Sequence, residues 1–347
     1  MKKQTSSSSF LRSRSLLAAF LVGVSAFFAA RLFVLIDQKA VNILFWDQWG
    51  FLTPLFEGKT GWWTLFSYQA GAHRMGVGFF LIQLLAEWTR WNTRADAFAI
   101  LALIFAAMLL AIALKKRVFG SLSAWDALIP AIFLTVAQYE IFIGTPDESA
   151  AAMPLLLLML LCLAWTMDRP AVRLPLVLTL NFLLIFTGYG FLIAPVTIAV
   201  FGVELYHTVR NRSRSAMAAA GIGMIGSIGS VLLYFRGYQF VPEAQCYGFS
   251  AANLVKYSLF MGVTFSKFVG LDYTDQRWPT LIFGALLLAV MLAAFLYQGT
   301  GFFSGRNPGK TNYRAAVILI AYSLVFCASA AVGRVCLGMA AAQSSRL

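Results

Sequence analysis

A chain of 347 residues that is 60% hydrophobic and only 12% charged, with mean hydropathy +0.76, cannot be a water-soluble domain. A net charge of +13 invites a nucleic-acid reading, which the distribution of that charge excludes. No short alternating apolar segments of the β-barrel kind occur, so the class is all-α: a polytopic membrane protein of about nine transmembrane helices, with interfacial helices in long outer loops.

In chain order, residues 1–15, "MKKQTSSSSFLRSRS", form a basic N-terminus expected in the cytoplasm. The following run could pass for a secretory signal, but apolar sequence resumes after Arg31 as "LFVLI", which favours an uncleaved first span. Spans are expected at 16–36, 94–114, 124–143, 150–167, 173–188, 190–206, 215–235, 279–297 and 314–333. The membrane domain is therefore 16–333, with 334–347 an outer C-terminal stub. Two outer connections are long, about 37–93 and 236–278, and their Trp, Phe and Tyr content argues against disorder. Within the first, 75–91 reads as a helix in the interface plane, because Gln83, Glu87 and Arg90 share one face. The stretch 251–268, interrupted by Lys256 and Lys267, reads the same way, a tenth span being the alternative. "GYG" at 188–190 reads as a short outer turn in preference to a Gly-lined opening. "GIGMIGSIGS" at 221–230 reads as close helix packing through small residues. Cys162 and Cys327 fall in spans. Cys246 and Cys336 fall on the outer side, where a bridge is open to them.

With the N-terminus inside, fifteen of the 27 basic residues lie on the inner face against three acids, Asp126, Asp168 and Glu204. Nearly all the net charge is then a topology signal of the positive-inside kind, and no nucleic-acid partner is expected.

No P-loop, dinucleotide fingerprint, nucleophile elbow or paired-histidine metal spacing is present. What remains is polar and faces outward. Asp47 lies between Trp46 and Trp49 in "FWDQWG", and "GAHRM" supplies His73 and Arg74. "TPDES" supplies Asp147 and Glu148, and "GRVCLG" supplies Arg334. A carboxylate can act as general base or hold a divalent cation, so Asp47 is the candidate base, with Asp147 and Glu148 as co-acids or metal ligands. Arg74 and Arg334 can clamp phosphate oxygens with a planar fork. Trp46, Trp49 and His73 can shape a sugar-sized slot. Each residue also has an ordinary role: Trp46 and Trp49 in an aromatic belt, Asp47, Asp147 and Glu148 at helix N-termini, Arg334 as an interfacial anchor. Their convergence from four segments on one membrane face favours a site for a phosphate-headed lipid.

At these residues the chain resembles the GT-C superfamily of integral-membrane glycosyltransferases. The likeness is to bacterial members with a W-D-x-W stretch, an E-H-R stretch before an apolar helix ending W-N-T-R-like, and a late G-R-x-x-x-G followed by S-R-Y. Here these read "FWDQWG", "GAHRM", "TRWNTR", "GRVCLG" and "SSRL". Ala72 stands where that pattern has glutamate, and Leu347 where it has tyrosine. The resemblance implies a multi-pass protein of the bacterial inner membrane, shortened at its C-terminus. It also implies a polyprenyl-phosphate sugar donor, membrane lipids around it, and transfer to a cell-envelope acceptor on the outer face. A transporter or flippase for a lipid-linked or small solute, and a non-catalytic membrane subunit, are the alternatives.

Overall fold

The computed structural model describes residues 6–45, 47–144, 147–240, 248–303 and 312–343. It is an α-helical bundle whose one sheet among these residues is a two-residue hairpin, β1 (Gln69–Ala70) against β2 (His73–Arg74). Seven helices are long and apolar enough to cross a membrane. They lie within or around α1 (Ser6–Lys39), α5 (Arg94–Phe119), α7 (Met153–Trp165), α9 (Ile193–Arg210), α10 (Arg214–Phe235), α12 (Arg277–Phe303) and α13 (Asn312–Arg334).

Two expected spans take other forms. Residues 124–143 are broken into short turns around α6 (Leu128–Phe133), because the Thr135 hydroxyl accepts from Ala137 N and caps a new turn after Leu134. The next, α8 (Pro170–Ile185), has 16 residues; proline at its start ends any continuation from α7. Both nonetheless run from one end of the bundle to the other. Asp126 pairs with Lys115 at the C-terminal end of α5 (2.7 Å), whereas Glu148 meets Asp96 at its N-terminal end. Arg173 at the start of α8 pairs with Glu204 of α9 (3.6 Å), whereas Gly188 beyond its end donates to Ser149 O (3.0 Å). Arg314 of α13 joins Glu204 at 2.9 Å. One end of the bundle is thus basic and cross-linked by Glu204 and Asp126; the other carries the long loops.

The first loop is packed on that second end. Its helices are α2 (Gln48–Phe56), α3 (Trp62–Phe66) and α4 (Gly76–Thr89). Phe66 of α3 is buried in an aromatic cluster, with ring centroids 4.8 Å from Phe186 and 5.5 Å from Phe182. In α4, Gly76, Gly78, Phe79, Ile82 and Ala86 are buried, while Gln83 and Glu87 bond each other on the exposed face (2.9 Å). Gly78 is obligatory at this contact, since a Cβ there would fall 2.5 Å from Ser149. The small-residue face of α10 packs as expected: a Cβ on Gly223 would enter the Phe201 ring, and one on Gly226 would meet Leu178. In the second long connection, α11 (Leu254–Ser266) lies backbone to backbone on α12, where Gly262 faces Gly284. Cys336 is disulfide-bonded, Cys162 and Cys327 are free and buried, and Cys246 lies outside the described residues.

Candidate functional site

Three backbone knots gather the loop end of the bundle. The Ser149 hydroxyl donates to Met75 O, the Gly188 amide donates to Ser149 O, and Tyr238 donates to Ala72 O at 2.7 Å. These ties hold the hairpin, the start of the 148–165 span, the 188–190 turn and the end of α10 together. Asp47, His73, Asp147, Tyr189 and Arg334, each from a different segment, then line one cavity of about 1220 Å³.

Asp47 occupies the residue before α2 but makes no capping hydrogen bond, and it is exposed. It lies close enough to influence both His73 and Asp147 electrostatically. Asp147 is buried. Its Oδ1 accepts from the amides of Ser149 (2.9 Å) and Ala150 (3.0 Å), so it does cap the following turn. Burial pushes its carboxyl up to about 6, the two amides pull it down, and Asp47 adds a small upward push. Burial and then the positive Arg334 push the His73 imidazole down to about 4, against a smaller upward pull from Asp47. His73 is therefore neutral at pH 7, with one ring nitrogen able to donate and the other to accept.

The Arg334 Nη2 donates to Tyr189 Oη at 3.2 Å. The Tyr189 ring lies 4.9 Å from the His73 ring and 5.4 Å from that of Phe326. Tyr189 has φ +56, a left-handed conformation that costs a non-glycine residue about 1–3 kcal/mol and persists only where its surroundings impose it. It stands between Gly188 and Gly190 in the turn expected to be a plain connector; the signal in the sequence was that two glycines bracket a large polar aromatic.

Three of the expected site residues do not line the cavity: Arg74, Glu148 and Trp49. The Arg74 guanidinium is buried and donates to Tyr234 O (2.7 Å), Arg236 O (2.7 Å) and Ser67 O, under the rings of Tyr234 and Tyr238. Nε and Nη2 tie the hairpin to the end of α10, and Nη1 ties it to Ser67 at the end of α3. Glu148 is wholly buried behind the cavity wall, facing Asp96 of α5. Trp49 stands away from the cavity lining as well. It is exposed and 5.9 Å from Phe56, which stacks on Trp91 at 5.4 Å, an outward aromatic ledge. Trp46 lies outside the described residues. Among the described residues no three His, Cys, Asp or Glu side chains converge to hold a metal ion.

From this polar end the cavity continues between α5, α7 and α13 along Phe326, Leu319, Met159, Leu158, Ala111 and Leu114 to Lys115 at the basic end. Along α13 the lining runs from Arg334 to Ala315, which at 1.5 Å per residue is about 28 Å, close to the hydrocarbon thickness of a bilayer. The site is thus a charged head pocket continuous with a long apolar cleft. No protein-family model, no curated protein and no solved structure matches this chain.

Proposed function

We propose that the protein is a glycosyltransferase of the membrane, moving a sugar from a polyprenyl-phosphate donor to a cell-envelope acceptor on the outer face. The observation that carries the reading is the continuous cavity of about 1220 Å³. A polyprenyl tail needs a long dry wall, and its phosphate–sugar head needs a cation and a carboxylate at one end of that wall. The cavity lining offers all three. In this reading the acceptor enters past Asp47, whose exposure suits a water-borne hydroxyl. Asp47 takes the hydroxyl proton while the oxygen attacks the anomeric carbon. The bond from that carbon to the phosphate oxygen breaks, and the phosphate leaves with its electron pair beside Arg334. Asp147, tied through Oδ1, is the second acid and the rival base.

The placement in the membrane belongs to the same proposal: nine crossings, counting α8 and the broken 124–143 segment, with the basic end and the N-terminus in the cytoplasm of a bacterial inner membrane. The end-to-end courses of those two segments and the basic character of one bundle end support it. A lipid flippase is the second reading, favoured by the reach of the cavity to Lys115. Against it, the lining between the two ends carries no charge and is mostly apolar, with Gln138, Tyr322 and Ser323 among its few polar side chains, so a charged headgroup would cross with little compensation.

The test is the envelope glycan profile of the native host carrying Asp47→Asn or Asp147→Asn at parent protein levels. Loss of a general base costs about 10²–10⁴ in rate. Asp47→Asn should therefore abolish the product. A parent-like profile with Asp47→Asn, and loss with Asp147→Asn, moves the base to Asp147; an unchanged profile in a deletion strain removes the transferase reading.

A further inference from the structure

The 188–190 turn is built more tightly than a connector requires. A Cβ on Gly188 would lie 2.6 Å from Ala150 Cα, and one on Gly190 would lie 1.8 Å from Leu184 O. Tyr322 Oη also donates to Tyr189 O at 3.4 Å. The backbone is thus clamped on three sides, and the residue it presents to the cavity is a tyrosine at positive φ, where glycine would fit without strain. The ring is wedged between His73 and Phe326, so the phenol points where Arg334 is. Because Arg334 donates to the Tyr189 oxygen, the phenol hydrogen is left to be given elsewhere, and no acceptor among the described residues takes it. A hydroxyl whose oxygen already accepts from a cation is a stronger donor. An anion at this spot meets the guanidinium and the phenol hydrogen together, beside an imidazole that carries no charge at pH 7.

We propose that Tyr189 binds a phosphate oxygen in concert with Arg334, and that it selects a phosphate-headed ligand over a neutral one. The proposal rests on the transferase reading for the ligand's class, and deepens it by naming the residue that recognises the headgroup. The shared chemistry is a phosphate oxygen, from a lipid phosphate or from free phosphate.

The test measures binding to the full chain in lipid nanodiscs with three probes: farnesyl phosphate, farnesol and inorganic phosphate. Tyr189→Phe keeps the ring contacts and removes the hydroxyl, with it both the donor and the acceptor of the Arg334 bond. It should weaken farnesyl phosphate roughly tenfold, the scale of one hydrogen bond to a charged group, and leave farnesol unchanged. Replacing Tyr189 by 3-fluorotyrosine, a stronger donor of nearly the same shape, should tighten farnesyl phosphate; this arm serves if Tyr189→Phe misfolds, and a structural role would not produce it. Inorganic phosphate binding with the same dependence on Tyr189 upholds the subsite and assigns it to a free anion. Equal affinity of parent, phenylalanine and fluorotyrosine forms for farnesyl phosphate overturns the Tyr189 proposal and leaves the transferase reading standing. Failure of the parent to bind either phosphate probe overturns both.

Discussion

Replacing Arg74 by lysine separates two roles for the same residue. As a clamp on a donor phosphate, Arg74 would tolerate lysine with normal stability and a raised donor KM. In the structure its guanidinium instead holds three carbonyls from two segments, Ser67 O on one side and Tyr234 O and Arg236 O on the other. A lysine ammonium on a single stem reaches one of these. Two charge-assisted bonds are then lost, each worth about 1.5 kcal/mol or more, so the variant should be destabilised by on the order of 3 kcal/mol. The cation contacts with Tyr234 and Tyr238 weaken with it. The assay is the fraction of purified protein that stays monodisperse after heating in detergent, read by size-exclusion chromatography. Arg74→Lys should fall away at a clearly lower temperature, and no added phosphate should restore it. Parent-like heat survival with weakened farnesyl phosphate binding would refute the structural role.

Three further outcomes follow from the same geometry. Gly190→Ala should destabilise by about 1–3 kcal/mol in the same heating assay, because its Cβ lands on Leu184 O and the Thr187 hydroxyl; parent-like survival would show that the turn can relax. Asp147 binds its proton more tightly folded, at about 6, than at its ordinary 3.8, so its contribution to stability is full below the lower value and lost as pH rises through the upper one. Heat survival should fall from about pH 4 to about pH 7, and Asp147→Asn, which keeps an oxygen for the Ser149 and Ala150 amides, should flatten that slope; an unchanged slope assigns it to other groups. A reporter active only outside the cytoplasm should work when fused after residue 60 and fail after residue 120 or 212; the reverse pattern inverts the proposed topology.

Composition alone points to a helical chain apolar enough to cross a membrane, because backbone groups in lipid must bond within their own segment, and seven such helices are present among the described residues. Hydropathy also places the long helices near their observed bounds, since a run of some 20 apolar residues has few alternatives. It could not foresee the break after Leu134, which a local threonine cap decides against the apolar pattern. The polar residues of the segments at the loop end were legible as types, and Asp47, His73, Asp147 and Arg334 do meet in one cavity. Which way each side chain points was not legible. His73 and Arg74 are neighbours on a two-residue strand whose successive side chains face opposite ways, so one enters the cavity and the other is spent on carbonyls behind it. Asp147 and Glu148 divide in the same manner between cavity and interior. Tyr189 gains its place only from contacts distant in the chain, with Ala150 against Gly188 on one side and Arg334 and Phe326 on the other. Residue type and spacing carry the chemistry available to this protein; the packing of Gly78, Gly188 and Gly190 against neighbouring backbone and side chains decides which of it converges.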